Sequence, residues 1–295
     1  VYHLAGSVLG ADIRSMSETH LAEARAALDA AGILPDDEID IAGVALQFAR
    51  IDAPELDWRA AAMDLSALAR EAVEVATATP EADAGDLEAR RGVLARVLHG
   101  FTGDTEHYDD LANANLIRVL ERRRGLPVAL GILWLHAAEA VGWPAHGVDF
   151  PGHFLIALEG PRGQLVIDVF GGGAAMTAPD LRALIKRFGG EAAELRPGLL
   201  APMARRAVLL RLQNNIKLRR QQADDLEGAL TCAEDMLRLA PEQALLWREV
   251  GLMNQRLERI GAALAALERF LELQPEGAMA SRVRAAIQEL RQRLN

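Results

Sequence analysis

The sequence predicts an α+β protein: a helical N-terminal part, a middle with a small antiparallel sheet, and an all-α tail. Three observations carry this. Residues 145–168 contain the only runs with strand patterning, Phe154–Leu158 and Gln164–Asp168, flanking the turn signal Gly160-Pro161-Arg162-Gly163. Upstream of them, apolar residues recur at helical spacing with cap and stop signals. Downstream, Ala229-Leu230, Leu237, Leu239 and Pro241 recur 34 residues later as Ala263-Leu264, Leu271, Leu273 and Pro275.

Taken in order, residues 19–31 form an Ala-rich helix with Thr19 at its entrance and Gly32 after its end. A second helix over 39–50 follows the Pro35-Asp36-Asp37 turn, with Ile41, Val44, Ala45 and Phe48 on one face. Pro54 is expected to open a third helix, which ends before Thr77-Ala78-Thr79-Pro80; residues 80–86 read as a polar loop. A fourth helix runs from Leu87 to about His99. A short helix from Asn115 to Arg123 carries Leu116, Val119 and Leu120, with Asn113 as its expected cap. The run Glu121-Arg122-Arg123-Arg124 reads as a solvated helix end whose cations offset the macrodipole.

After Gly125-Leu126-Pro127 comes a helix, Val128 to Val141, that is apolar nearly all round and therefore expected to be buried. Gly142 and Pro144 stop it. A strand over 145–149 precedes the hairpin, and a helix from Ala178 to Phe188, capped by Thr177, follows the sheet. A loop of Gly160–Gly163 pairs Glu159 with Gln164. That register sets Leu155 opposite Asp168 and puts His153 one diagonal away on the same face, so His153 and Asp168 can meet.

Composition narrows the function. The net charge of −10 supplies no basic field for nucleic acid. Lysine occurs only at Lys186 and Lys217, a bias towards Arg that fits a GC-rich bacterial coding sequence. One cysteine, Cys232, excludes an internal disulfide and a multi-cysteine zinc site. No run approaches a membrane span, so a cytoplasmic protein with no membrane contact is expected. Residues 1–15 have apolar character without a basic n-region and read as a leader or disordered stretch ahead of a start at Met16. The expected division is 16–100 helical, 101–200 the core, and 201–295 the repeats.

The motif Asn113-x-x-Leu116-x-x-Val119-Leu120-x-Arg122-Arg123 followed by Gly125-Leu126-Pro127, together with Phe150-Pro151-Gly152-His153-Phe154-Leu155, resembles the SirB1-like family. The 34-residue period, with Trp247 and Gly251 in the first-helix position and Pro closing each unit, looks like tetratricopeptide repeats. The resemblance implies a transglutaminase-like (papain-like) core with a tetratricopeptide tail. In such cores a Cys at a helix N-terminus is activated by a His that an Asp orients. By position His153 matches the His and Asp168 the Asp, while the Cys position falls near Ala129, which has no nucleophile.

The resulting expectation is a non-catalytic adaptor that binds a protein or peptide through its repeats. The alternative is a hydrolase or acyl-transferase using the His153–Asp168 pair without a cysteine. Ala129 is expected in the first turn of its helix, with His153 facing it and Asp168 behind. Asn113 and Trp247 are the candidate binding residues. His153 and Asp168 also admit a purely structural reading, as does His136 on its apolar helix. His146, Asp149 and His153 do not share one strand face at their spacing, so no metal is expected, and no cofactor.

Overall fold

The structure is a computed structural model that describes residues 18–161, 163–196 and 198–293. The leader expected over 1–15 lies outside these residues. The described chain divides into two compact units, one of residues up to Ala24 and 35–212, the other of 25–34 and from Gln213 onward. The fold class is α+β, as the sequence predicts.

Helix α1 (18–32) supplies residues to both units, and in the first unit α2 (Ile41–Asp52), α3 (Trp58–Thr77), α4 (Pro80–Asp83) and α5 (Leu87–Val97) follow. Acidic caps set the starts. Asp40, Asp57 and Asp86 each accept hydrogen bonds from first-turn amides. Asp57, not Pro54, begins the third helix: Pro54 stands in the turn before it. The expected loop over 80–86 contains α4, with Pro80 in its first turn, where a missing N–H costs nothing.

Two-residue strands β1 (Thr102–Gly103) and β2 (Arg124–Gly125) pair in parallel around α6 (Leu116–Arg122). Helix α7 (Pro127–Ala140) then runs through the core; Ala129, Ile132, Leu133, Ala137 and Ala138 are fully buried. The sheet that follows contains β3 (Ala145–Phe150), β4 (His153–Gly160), β5 (Gly163–Asp168), β6 (Ala174–Ala175) and β7 (Pro202–Met203). Its order is β6-β5-β4-β3-β7, antiparallel throughout. The long strands occupy the expected region; the two-residue strands fall outside it, being too short to leave a period-2 pattern.

The hairpin pairs Glu159 with Gln164 and Ile156 with Ile167, the register expected from the turn. Alternation along β4 then assigns the faces. Phe154 and Ile156 meet Gly131 of α7. Leu155 and Ala157, with Val148, Phe150 and Val166, pack against Leu181 and Ile185 of α8 (Ala178–Gly189). The sheet is thus covered by α7 on one face and α8 on the other. Glycine is needed at 131 because a Cβ there would lie 2.3 Å from a Phe154 ring carbon.

Helix α9 (Arg205–Gln222) supplies residues to both units. In the second unit, α10 (Leu226–Leu239) and α12 (Ile260–Leu273) start and stop 34 residues apart, and α11 (Ala244–Arg256) and α13 (Ala278–Gln292) begin with the same offset. The turns repeat as well: Asp224 and Glu258 both adopt the left-handed conformation, at φ 63° and 58°. Ala229 and Ala263 are completely buried, so each repeat needs a small residue where two helices meet. Leu267, Phe270, Ala280, Val283, Ile287 and Leu290 form the last layer of this core. The tail is a tetratricopeptide-type helical array. Among the described residues no helix is long and apolar enough to cross a membrane.

Candidate functional site

His153 is the first residue of β4 and Asp168 the last of β5, so the hairpin register brings them to one end of the sheet on the α8 face. His153 Nε2 and Asp168 Oδ1 are 3.0 Å apart. The same Oδ1 accepts the Phe170 amide at 3.0 Å. An ionised carboxylate only accepts, so Nε2 carries the proton and Nδ1 is the ring nitrogen left over. Among the described residues the His153 side chain makes its hydrogen bond through Nε2, and none is made at Nδ1. Burial pushes the Asp168 carboxyl up, but the His153 ring and the Phe170 and Gly171 amides outweigh it and hold it below the ordinary carboxylate range.

This shift has a sign that can be measured. A depressed carboxyl contributes stability that is fully present above its unfolded value, near pH 3.9, and is lost as pH falls through the lower folded value. Asp168→Asn is expected to remove that part of the acid dependence of unfolding. An unchanged acid limb in the variant would show that Asp168 is not held in its charged form.

The aromatic surroundings were not read from the sequence. The Phe188 ring stacks on His153 at 6.2 Å and 12°, and the Phe170 ring meets it edge-on at 6.2 Å. Tyr108 meets Phe170 in turn, edge-on at 5.9 Å. Tyr108 and Phe188 remain 44% and 48% exposed, so these rings form a surface rather than a sealed core. In a chain that is only 4% aromatic, exposed rings are the one available signal, and the sequence does not show that they converge. Gly152 makes the stack possible: its φ is +72°, and a Cβ there would lie 2.4 Å from the Phe188 ring. Arg211 of α9 donates to the His153 carbonyl at 2.8 Å and pairs with Asp149, which fixes the backbone on either side of the turn.

Ala129 stands in the first turn of α7, completely buried. The rings and charges that meet the His153 side chain are Phe188, Phe170 and Asp168. Sheet alternation places His153 with Leu155 and Ala157, on the face opposite the one α7 covers. Cys232 lies in the second unit, buried, with its Sγ against Gln213.

Asn113 does not cap α6. Asn115 does, accepting from the amides of Ile117 and Arg118 while its own amide donates to the Ala49 carbonyl at 3.0 Å. Asn113 closes a 3-10 turn, Leu111–Asn113, and donates to the His107 carbonyl at 2.7 Å. Its carbonyl accepts the Leu126 amide, which holds the start of α7. Arg122 is exposed, as expected, and also pairs with Asp104 at 3.0 Å, which ties down the loop that carries Tyr108. Trp247 donates its indole N–H to the Pro241 carbonyl at 2.8 Å and packs on the last core layer of the repeats. His136 Nε2 lies 2.9 Å from the Leu65 carbonyl, a core contact. No group of three metal-ligating side chains gathers among the described residues.

A family model described as transglutaminase-like superfamily matches residues 59–214, and a tetratricopeptide repeat model matches residues 216–288. The chain is 33% identical over 156 residues to a UPF0162 protein of Xylella fastidiosa, covering 52% of this chain and 56% of that one. It is 29% identical over 209 residues to a UPF0162 protein of Vibrio cholerae, covering 69% and 74%. It is also 34% identical over 107 residues to F-box only protein 21 of Homo sapiens, covering 34% and 17%. The chain spans about half the length of the Xylella fastidiosa relative it matches.

Proposed function

The chain belongs to the transglutaminase-like superfamily, and from that premise we propose that it is a non-catalytic adaptor which binds a protein or peptide through its repeats. The observation behind this reading is position 129. The turn where the superfamily's nucleophile is expected holds a completely buried alanine among Pro127, Val128 and Leu130. Nothing there can attack a carbonyl. The repeats supply the binding surface in this reading: stacked helix pairs present a continuous face to a partner, and Leu218 and Leu245 are large apolar side chains exposed there.

A second reading has its own support. The Nδ1 of His153, without a hydrogen-bond partner among the described residues, and Asp168 holding Nε2 have the arrangement of a general base. In a hydrolase without cysteine, Nδ1 would take a proton from water as the water oxygen attacks a carbonyl, then return it to the leaving group.

One experiment separates the two. The intact chain, a His153→Ala variant and a Leu245→Glu variant are used to capture partners, and the captured proteins are weighed by mass spectrometry. An adaptor retains its partner unmodified, equally with His153→Ala and much less with Leu245→Glu. A partner that gains or loses mass with the intact chain but not with His153→Ala would overturn the adaptor reading in favour of the hydrolase.

A further inference from the structure

The second unit has a face whose charges the fold does not use. On α11, Leu245, Arg248, Leu252 and Arg256 recur at spacings of three and four, so they form one stripe about 16 Å long. Leu245 and Arg256 are exposed, and Arg248 and Leu252 are half-buried. The opposite side of the helix, with Leu246, Val250, Met253 and Asn254, is buried in the repeats. Lys217 of α9 pairs with Glu249, and Gln221 Nε2 lies 3.4 Å from Met253 Sδ, which sets α9 beside α11. Leu218, next to Lys217, is a further exposed leucine. Helix α13 shares a core layer with Ala244 and Trp247 of α11, and its Arg282 is exposed.

Charge singles this face out. Other cations of the unit are paired within it: Arg238 with Asp29, Arg259 with Glu227, Arg269 with Glu272 and Arg291 with Glu268. Arg248, Arg256 and Arg282 have neither an ion pair nor a hydrogen bond among the described residues. The carboxylate that flanks the stripe on α11, Glu249, is taken by Lys217. Glu289 stands roughly two turns beyond Arg282 on α13 and bounds the positive stretch. A single exposed leucine is ordinary. Here leucine and unpaired arginine alternate along one face, in a chain whose net charge is −10. A guanidinium beside apolar surface suits a carboxylate, which meets its planar fork with two hydrogen bonds.

We propose that this stripe docks an acidic, leucine-bearing segment of a partner protein. Its carboxylates meet Arg248, Arg256 and Arg282, and its apolar side chains lie on Leu218, Leu245 and Leu252. The proposal rests on the adaptor reading and gives the partner a chemistry. A basic segment would meet unpaired guanidiniums, and a polyanion without apolar groups would leave the leucines in water.

The test uses the full chain and capped peptides of about twelve residues, long enough to follow the stripe as a helix. In the parent peptide Leu and Glu alternate every three or four positions on a background of Ala and Gln. Three controls change one property each: Gln for Glu, Lys for Glu, and Ser for Leu. Fluorescence anisotropy is expected to show saturable binding of the parent that weakens with added salt. Gln for Glu and Ser for Leu should each weaken it at least tenfold, and the Lys peptide should not bind. Arg248→Gln and Arg256→Gln together should weaken the parent at least fivefold while the thermal midpoint stays within a few degrees. If that pair unfolds the chain, the peptide series on the unaltered protein still decides. No saturable binding of the parent, equal binding of the Gln peptide, or an oligonucleotide bound as tightly as the parent would overturn the proposal. Self-association of the chain that the arginine pair abolishes would also overturn it, by making a second copy the occupant. Capture of a partner that falls with Leu245→Glu but is untouched by the arginine pair would keep the adaptor and sink its acidic partner.

Discussion

Phe154→Ala should cost the first unit about 4 kcal/mol, within the range of 3–5 kcal/mol for emptying a buried aromatic site. The ring is 1% exposed and enters a space shaped by two glycines. A Cβ at Gly131 would lie 2.3 Å from one ring carbon, and a Cβ at Gly147 would lie 2.8 Å from another. No neighbouring side chain can collapse into the vacated volume from these positions, so the cavity term stays large. The converse change, Gly131→Ala, overpacks the same contact and should cost about 1–3 kcal/mol. Because both act on one contact, the double variant should be less destabilised than the sum of the two. Urea unfolding followed by the fluorescence of Trp58, Trp134 and Trp143 measures all three. A loss below 1 kcal/mol in Phe154→Ala, or strict additivity, would mean that α7 does not rest on β4 through this ring.

Ala129→Cys, made in a Cys232→Ser background, is expected to give a thiol that titrates at or above the model value of about 8.5. Two influences compete at this position. The first turn of a helix favours a thiolate, and burial disfavours it. Position 129 is completely buried, and Pro127 at the start of α7 brings no N–H. His153, the one group that could tip the balance, shares its face with Leu155 and Ala157, under α8. Removing Cys232 leaves a single thiol to follow by absorbance. A value well below 8.5 would show that the ring reaches the helix start after all. It would also strengthen the hydrolytic reading, because the architecture would then still be that of a nucleophile site.

The parts of this molecule that were legible in its sequence are those fixed by short-range chemistry. The Gly160–Gly163 turn dictates register, and register brings His153 to Asp168 without any knowledge of the rest. The 34-residue recurrence marks the repeats, and the left-handed turns at Asp224 and Glu258, which the pattern does not announce, keep the same offset. Where two similar residues compete, local reading falters. Asn113 and Asn115 both precede the apolar run of α6; the cap is the nearer one, and the farther one is recruited by a turn the pattern does not announce. The same holds for Pro54 and Asp57. The convergence of Tyr108, Phe170 and Phe188 on His153 was out of reach, because it joins a loop, a strand exit and a helix end through packing alone. Arg122 is exposed with Glu121, Arg123 and Arg124, as the charge run predicts, but its ion pair leaves no local signal, because Asp104 lies eighteen positions away, beyond any helical spacing.

The sheet is finished at both margins by strands of two residues, β6 and β7, and the second of these contains Pro202 opposite Val148. Beyond β6 and β7 themselves an incoming extended chain would find only two-residue runs of backbone, and on one side it would meet a residue without an amide hydrogen. Strands this short are poor templates for self-templated growth of the hydrophobic hairpin while the unit stays folded. Recognition by strand addition is disfavoured beside the same short strands.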